Sequence, residues 1–184
     1  MVPDGSHSLS LSLFDLMKNI FLIGMPSSGK STLGKRIAEA LHYHFLDTDR
    51  MIVREEGRSV PEIFAQSGEA YFREAERRVL RTIQPGRSLV VSTGGGMPCH
   101  FDNMTYINET GISVFLDVPA DILHRRMVAH GQADRPLFDV TDPKLLSDLQ
   151  TRCTNRAPFY TQAHIVVPGE TDAEYVLRQL GRWL

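Results

Sequence analysis

The most constraining feature of the sequence is residues 24–31, which read GMPSSGKS and match the pattern G-x-x-x-x-G-K-S. An apolar run at residues 20–23 precedes this segment and has the composition of a buried parallel strand. After it, apolar residues recur at helical spacing, at Leu33, Ile37, Ala38 and Leu41. Strand, glycine-containing loop and helix, in this order, are the context that a phosphate-binding loop requires.

This loop predicts a site for the phosphates of a nucleotide. Gly24 and Gly29 permit backbone dihedrals that a side chain disfavours, so the N–H groups of the loop can converge on phosphate oxygens. Lys30 is expected to reach the β- and γ-phosphates, and the Ser31 hydroxyl to bind Mg²⁺. The predicted nucleotide-binding residues of the loop are Ser27, Ser28, Gly29, Lys30, Ser31 and Thr32. The alternative is a glycine turn that binds nothing, and it is disfavoured because strand and helix lie on the expected sides.

The composition excludes several classes of protein. A length of 184 residues suits one domain with a sizeable core. A net charge of −2 and a pI near 6.4 offer no electrostatic footprint for nucleic acid. Cys99 and Cys153 form no C-x-x-C pair, which favours a reducing, cytoplasmic compartment. No apolar run is long enough to span a membrane. From the charge and the apolar pattern together, the expected partners are small molecules rather than nucleic acid or a membrane.

Predicted strands and helices alternate along the chain, and this pattern indicates an α/β domain with a parallel sheet. The predicted strands are residues 20–23, 43–46, 89–92, 112–116 and 164–167. Helices are expected between them, including one over residues 100–108 and a closing helix capped by Thr171. We assign residues 17–184 to a single domain, preceded by an N-terminal extension at residues 1–16 that resembles a cloning remnant. Residues 131–143 include a stretch of loop composition and are predicted to form a mobile lid.

Two groups of residues follow predicted strands at the edge of the sheet where open α/β folds bind ligands. Asp47 and Asp49 come after the second strand, and a glycine triplet at residues 94–96 comes after the third. Adjacent glycines allow a ligand or another backbone to approach closely. Simpler alternatives stay open at both places, since Asp47 or Thr48 can cap the next helix and the triplet can be a flexible turn.

Seven motifs occur in an order that resembles the shikimate kinases, small P-loop kinases related to adenylate kinase. Beyond residues 24–31 they are LDTD at 46–49, GRS at 57–59, Phe72-Arg73 with Glu76, GGG at 94–96, RPL at 135–137 and RAPFY at 156–160. The similarity extends over residues 17–184. A phosphate-binding loop alone indicates a nucleoside triphosphate, whereas the aspartate pair, the glycine triplet and three spaced arginines make the resemblance specific.

The resemblance implies a three-layer α/β/α fold around a five-stranded parallel sheet of order 2-3-1-4-5, with a mobile lid. It implies ATP-dependent phosphorylation of a hydroxyl of shikimate, which gives shikimate 3-phosphate and ADP. This reaction is a step in the biosynthesis of chorismate and the aromatic amino acids. ATP and Mg²⁺ are the implied cofactors, and the implied oligomeric state is a monomer.

For the acceptor, the resemblance assigns Asp49 to the hydroxyl that is phosphorylated, and Arg73 and Arg156 to the substrate carboxylate. The ring hydroxyls would lie against Gly94, Gly95 and Gly96. A guanidinium can bind a carboxylate through two parallel hydrogen bonds, and a carboxylate can accept the proton of a reacting hydroxyl. Asp49 is therefore a predicted catalytic residue, together with Lys30 and Arg135.

For the nucleotide, the resemblance places Asp47 near Mg²⁺ through water, and Arg135 over the phosphates when the lid closes. Arg126 or Arg125 would lie against the adenine. Lys30 and Arg135, with Mg²⁺, would offset the charge on the transferred phosphoryl group.

The sequence departs from the family pattern at two places. Ser27 stands where the family usually has glycine, and the spacing between Arg126 and Arg135 is slightly long. The alternative interpretations are a gluconate-type kinase, a nucleoside monophosphate kinase and a non-catalytic nucleotide-binding module. The glycine triplet and the paired arginines disfavour the first, and the lack of a recognisable base-reading segment disfavours the second. The three predicted catalytic residues disfavour the third, because nucleotide binding alone does not require all of them.

Overall fold

The computed structural model describes residues 17–130 and 138–184. Within them the strands are β1 (Asn19–Ile23), β2 (His44–Asp47), β3 (Leu89–Ser92), β4 (Gly111–Asp117) and β5 (Ile165–Pro168). The helices are α1 (Lys30–Leu41), α2 (Thr48–Glu56), α3 (Val60–Thr82), α4 (Asn103–Thr110), α5 (Ala120–His130), α6 (Leu145–Tyr160) and α7 (Ala173–Leu180), with a 3₁₀ turn at Met97–Cys99. The predicted alternation of strands and helices is confirmed, and every strand boundary lies within about one residue of its prediction.

The strands form one parallel sheet in the order β2-β3-β1-β4-β5. This arrangement confirms the fold class and the strand order that the resemblance implies. All five residues of the central strand β1 are buried, as expected for a parallel strand that helices cover on both faces. Because the strands run in one direction, their carboxyl ends meet at one edge of the sheet, and that edge carries the candidate site.

Among the described residues, the buried apolar side chains form two cores. The larger one joins the sheet to the helices that flank it. A smaller one joins α2 to α3 through Ile52, Ile63, Phe72, Ala75 and Val79. The ring of Phe72 also packs against Phe64, with ring centroids 4.8 Å apart. Since Phe72 directly precedes Arg73, the smaller core fixes the part of α3 that carries this arginine.

Helix α3 begins with a capping box and bends at a glycine. The Ser59 side chain accepts the N–H of Glu62, and the Glu62 carboxylate accepts the N–H of Ser59 at 2.7 Å. Gly68 has a φ of 79° and interrupts the helical backbone. Because L-residues with a side chain rarely adopt this conformation, glycine suits the bend that sets the direction of the second half of α3.

Two local predictions are wrong. The helix α4 begins three residues later than expected, because Phe101 has a φ of 53°, which no helical residue can adopt. The closing helix α7 is capped by Asp172 rather than by Thr171. The Asp172 carboxylate accepts the N–H of Tyr175, the third residue of the helix, at 2.8 Å, and so satisfies a donor that the helix leaves open.

Some sequence predictions concern residues that the structure does not describe. Residues 1–16, the predicted extension, and residues 131–137 of the predicted lid lie outside the described ranges. The assignment of residues 17–184 to one domain stays a prediction. Among the helices in the described ranges, none has the length and apolar character needed to cross a membrane.

Candidate active site

A cleft of about 980 Å³ opens at the carboxyl edge of the sheet. Every predicted site residue that the structure describes lines this one cleft. They are Ser27, Ser28, Gly29, Lys30, Ser31, Thr32, Asp47, Asp49, Arg73, Gly94, Gly95, Gly96, Arg126 and Arg156. The remaining predicted residue, Arg135, lies outside the described residues, so its role stays a prediction.

The loop before α1 is shaped to receive an anion. Gly29 caps the helix with a φ of 99°, and Gly24 has a φ of 140°. A Cβ atom added to Gly24 would lie only 2.8 Å from the carbonyl oxygen of Leu116, so the loop requires glycine there. The Lys30 ammonium group donates to the carbonyl oxygens of Gly24 at 3.0 Å and Met25 at 2.8 Å. A positive charge and the amino end of a helix therefore face the same small volume.

Asp47 has two sets of contacts at the end of β2. Its Oδ1 atom accepts the N–H groups of Asp49 at 3.2 Å and Arg50 at 3.3 Å, so the helix-capping interpretation is correct. Its Oδ2 atom accepts the Ser31 hydroxyl at 2.7 Å, and Ser92 Oγ lies 3.0 Å from Ser31 Oγ. A carboxylate and two hydroxyl oxygens beside a phosphate-binding loop suit Mg²⁺, which is bound by oxygen from one or two carboxylates and from substrate phosphates.

The glycine triplet brings two carboxylates together. A Cβ atom added to Gly94 would lie 2.6 Å from Asp49 Oδ1 and 2.7 Å from Glu76 Oε1. The separation between Asp49 Oδ1 and Glu76 Oε1 therefore cannot exceed the sum of these two distances. The N–H of Gly94 donates to Thr48 Oγ1 at 2.9 Å, which holds the end of β3 beside the start of α2. Any side chain at residue 94 would displace the carboxylates.

Two nearly buried arginines reach the cleft from different helices. Arg73 on α3 is 5% exposed, and its guanidinium donates to Glu76 at 2.7 Å and to Glu69 at 2.6 Å. A Cβ atom added to Gly96 would lie 2.8 Å from the Arg73 Cζ atom, so the third glycine makes room for this guanidinium. Arg156 on α6 is 9% exposed. Guanidinium groups with little access to water are suited to bind a carboxylate tightly.

Of the two arginines considered for the adenine, only Arg126 lines the cleft. Its Nη1 atom donates to the carbonyl oxygens of Ser27 and Ser28, both at 3.2 Å, and its Nη2 atom contacts Glu170 at 2.6 Å. Arg125 points to solvent, with 72% of its side chain exposed, and forms an ion pair within its own helix. The contact of Arg126 with the loop backbone was not among the predictions.

Glu76 and Glu170 also line the cleft, and the sequence patterns give neither of them a role. Glu76 follows Arg73 by three residues on one helix, a spacing that brings side chains together and that a sequence search can detect. Glu170 lies 44 residues from Arg126, so no local pattern links the two.

The ionisation of Glu76 leads to a prediction about stability and pH. Burial raises the pKa of the Glu76 carboxyl from 4.5 to about 7, although the guanidinium of Arg73 acts in the opposite direction. Between these values the native protein retains a proton that the unfolded chain releases. The associated stabilisation is present below pH 4.5 and is lost as the pH rises through about 7.

We therefore expect the wild-type protein to lose stability relative to Glu76→Gln as the pH rises from 5 to 8. The slope should reach at most about 1.4 kcal/mol per pH unit, and urea unfolding of both proteins measures it. If the difference in the free energy of unfolding between the wild-type protein and Glu76→Gln stays constant from pH 5 to 8, or changes in the other direction, Glu76 is ionised throughout this range.

Comparison with known proteins relates this cleft to a family. A sequence model of the family described as shikimate kinase matches residues 26–184. A shikimate kinase of Clostridium botulinum is 39% identical over 170 residues, which cover 91% of this chain and 98% of that protein. The structure of shikimate kinase from Acinetobacter baumannii in complex with shikimate matches with a TM-score of 0.80 at 32% identity, covering 90% of this chain and 91% of that one.

The crystal structure of shikimate kinase from Bacteroides thetaiotaomicron matches with a TM-score of 0.79 at 38% identity, covering 90% of this chain and 97% of that one. The family match runs from within the phosphate-binding loop to the last residue, and each of these relatives is covered almost end to end. This chain therefore belongs to the shikimate kinase family.

Proposed function

We propose that this protein transfers the γ-phosphoryl group of ATP to the 3-hydroxyl of shikimate, giving shikimate 3-phosphate and ADP. The observation that carries the proposal is the single cleft. It brings the loop at residues 24–31, the Asp49 carboxylate and the nearly buried guanidinium groups of Arg73 and Arg156 to the same edge of the sheet. Membership of the shikimate kinase family and the shikimate complex of the Acinetobacter relative support the choice of acceptor.

The nucleotide half of the site is the loop at the start of α1. Its N–H groups and Lys30 bind the phosphates of ATP and offset the negative charge on the transferred group. Ser31 and Asp47 would hold Mg²⁺, whose charge would further neutralise the phosphate oxygens. The 2.7 Å hydrogen bond between Ser31 and Asp47 supports this assignment, because it places a hydroxyl and a carboxylate together beside the loop. Arg135 is proposed to add a second cation at the phosphates.

The acceptor half of the site lies between α2, α3 and α6. Arg73 and Arg156 bind the carboxylate of shikimate, and the glycine triplet at residues 94–96 lets the ring approach the backbone. These contacts present the hydroxyl to Asp49, which orients it and accepts its proton as the new bond to phosphorus forms. The catalytic contribution of the protein is therefore mainly positioning and charge neutralisation, as phosphoryl transfer requires. We further propose that the protein acts as a cytoplasmic monomer.

The proposal is tested by incubating the protein with ATP and Mg²⁺ together with shikimate, with gluconate or with no acceptor, and by following ADP release. We expect ADP release that depends on shikimate, with the phosphorylated product identified by mass spectrometry. Release with gluconate instead would keep the phosphate site but overturn the acceptor assignment. ATP binding without transfer to either acceptor would favour a non-catalytic nucleotide-binding module.

A further inference from the structure

Ser27 adopts a backbone conformation that suits glycine. Its φ is 64°, in the left-handed region that residues with a side chain rarely occupy. Glycine, which lacks a Cβ atom, reaches this conformation without steric cost, whereas serine does not. The chain must therefore hold this part of the loop against the tendency of Ser27 to return to a negative φ.

Arg126 contacts the carbonyl groups of this same turn. Its Nη1 atom donates to the carbonyl oxygens of Ser27 and Ser28 at 3.2 Å, while the N–H of Ser28 donates to the carbonyl oxygen of Met25 at 3.2 Å. In a trans peptide unit the C=O and N–H groups point in opposite directions. When the Ser28 carbonyl is held toward Arg126, the N–H of Gly29 points away from it, at the end of α1 where phosphate binding is proposed.

Glu170 contacts Arg126 from the segment that follows β5. Its carboxylate accepts from Arg126 Nη2 at 2.6 Å, so the donors of one planar guanidinium hold a carboxylate and two carbonyl groups together. The Glu170 side chain is well exposed, so the ion pair adds little to the stability of the fold. Its effect is to restrict the guanidinium to the orientation that reaches the loop.

We propose that Arg126, oriented by Glu170, is a positioning residue that holds the turn at Ser27 and Ser28 in its phosphate-binding conformation. It thereby compensates for the side chain that this protein carries at Ser27. The inference rests on the proposed function for the identity of the nucleotide. It differs from a contact between Arg126 and the adenine, because an adenine contact would not depend on which residue occupies position 27.

The test is the affinity for ADP with Mg²⁺, measured by calorimetry without any acceptor. Arg126→Ala is made in the wild-type protein and in a Ser27→Gly background. In the wild-type background we expect a loss of affinity of roughly tenfold or more, because two hydrogen bonds from a charged donor are removed. In the Ser27→Gly background the loss should be several-fold smaller, because glycine keeps the positive φ without support. The KM for ATP should rise with the loss of affinity, while kcat at saturating ATP changes less.

Glu170→Gln keeps the arginine and should cause a smaller loss in the same direction, again relieved by Ser27→Gly. Equal losses of ADP affinity in both backgrounds would overturn the proposal and leave Arg126 as a contact of the adenine base. No loss of ADP affinity in either background would also overturn it. If Arg126→Ala fails to fold by circular dichroism, Glu170→Gln in the two backgrounds decides the question.

Arg178→Ala, which removes an exposed helical arginine from its ion pair with Glu174, controls for a change in surface charge. ADP binding needs no acceptor. Failure to phosphorylate shikimate would therefore contradict the proposed function and leave this test unaffected.

Discussion

Asp49→Asn is expected to reduce the rate of phosphoryl transfer by about 10²- to 10⁴-fold while the affinity for ATP changes little. The amide keeps the size of the side chain, but it cannot accept the proton that the acceptor hydroxyl loses. The Asp49 carboxylate lies against Gly94 and beside Glu76, in the part of the cleft that we propose binds the acceptor, whereas the phosphates are assigned to the loop before α1. Single-turnover transfer and calorimetric ATP binding, measured on the same preparation, separate the two effects.

A matched control is Asp121→Asn, which makes the same change in a largely exposed side chain on α5. We expect both the transfer rate and the ATP affinity of this variant to equal those of the wild-type protein. Unchanged turnover in Asp49→Asn would refute the role given to Asp49. A parallel loss of ATP affinity would mean that Asp49 acts through the nucleotide site instead.

The second large effect is expected when a guanidinium is removed from the site that we propose for the acceptor. Arg73→Ala or Arg156→Ala should weaken shikimate binding by about 2–5 kcal/mol, since it leaves a carboxylate partly unpaired in a site that has lost most of its water. The KM for shikimate should then rise by roughly thirtyfold or more, since about 1.4 kcal/mol corresponds to a factor of ten. The KM for ATP should change far less.

The control for this prediction is Arg77→Ala, which removes an arginine one turn along the same helix, where about half of the side chain is exposed. A neutral ester of shikimate gives a further check. The wild-type protein should prefer shikimate to the ester, and each of the two cleft variants should lose much of this preference. A normal KM for shikimate in both variants would show that the carboxylate binds elsewhere.

The parts of the site that could be predicted are those that depend on short stretches of chain. The loop at residues 24–31 specifies its own chemistry, because its glycines, Lys30 and Ser31 act through backbone geometry within a few residues. The strand boundaries are local in the same sense. The resemblance then supplied the strand order, because its motifs occur in the family's order along the chain.

Other features depended on contacts between distant segments and could not be predicted. Phe101 adopts a left-handed conformation that the neighbouring sequence does not predict, so the predicted start of α4 was wrong. Asp49 and Glu76 lie on different helices and meet only because Gly94, from a third element, leaves room between them. Arg126 contacts a backbone carbonyl 99 residues away, and no periodicity in the sequence encodes such a contact.

The sequence by itself therefore determined that the chain is a parallel α/β protein with a phosphate-binding loop and a family-specific set of acidic and basic residues. The tertiary structure decided which of these side chains share the cleft, which arginine contacts the loop and how far burial raises the pKa of Glu76. The physical reason is that backbone propensities and helical spacing act over a few residues. Desolvation and charge pairing depend instead on the full three-dimensional surroundings of a group.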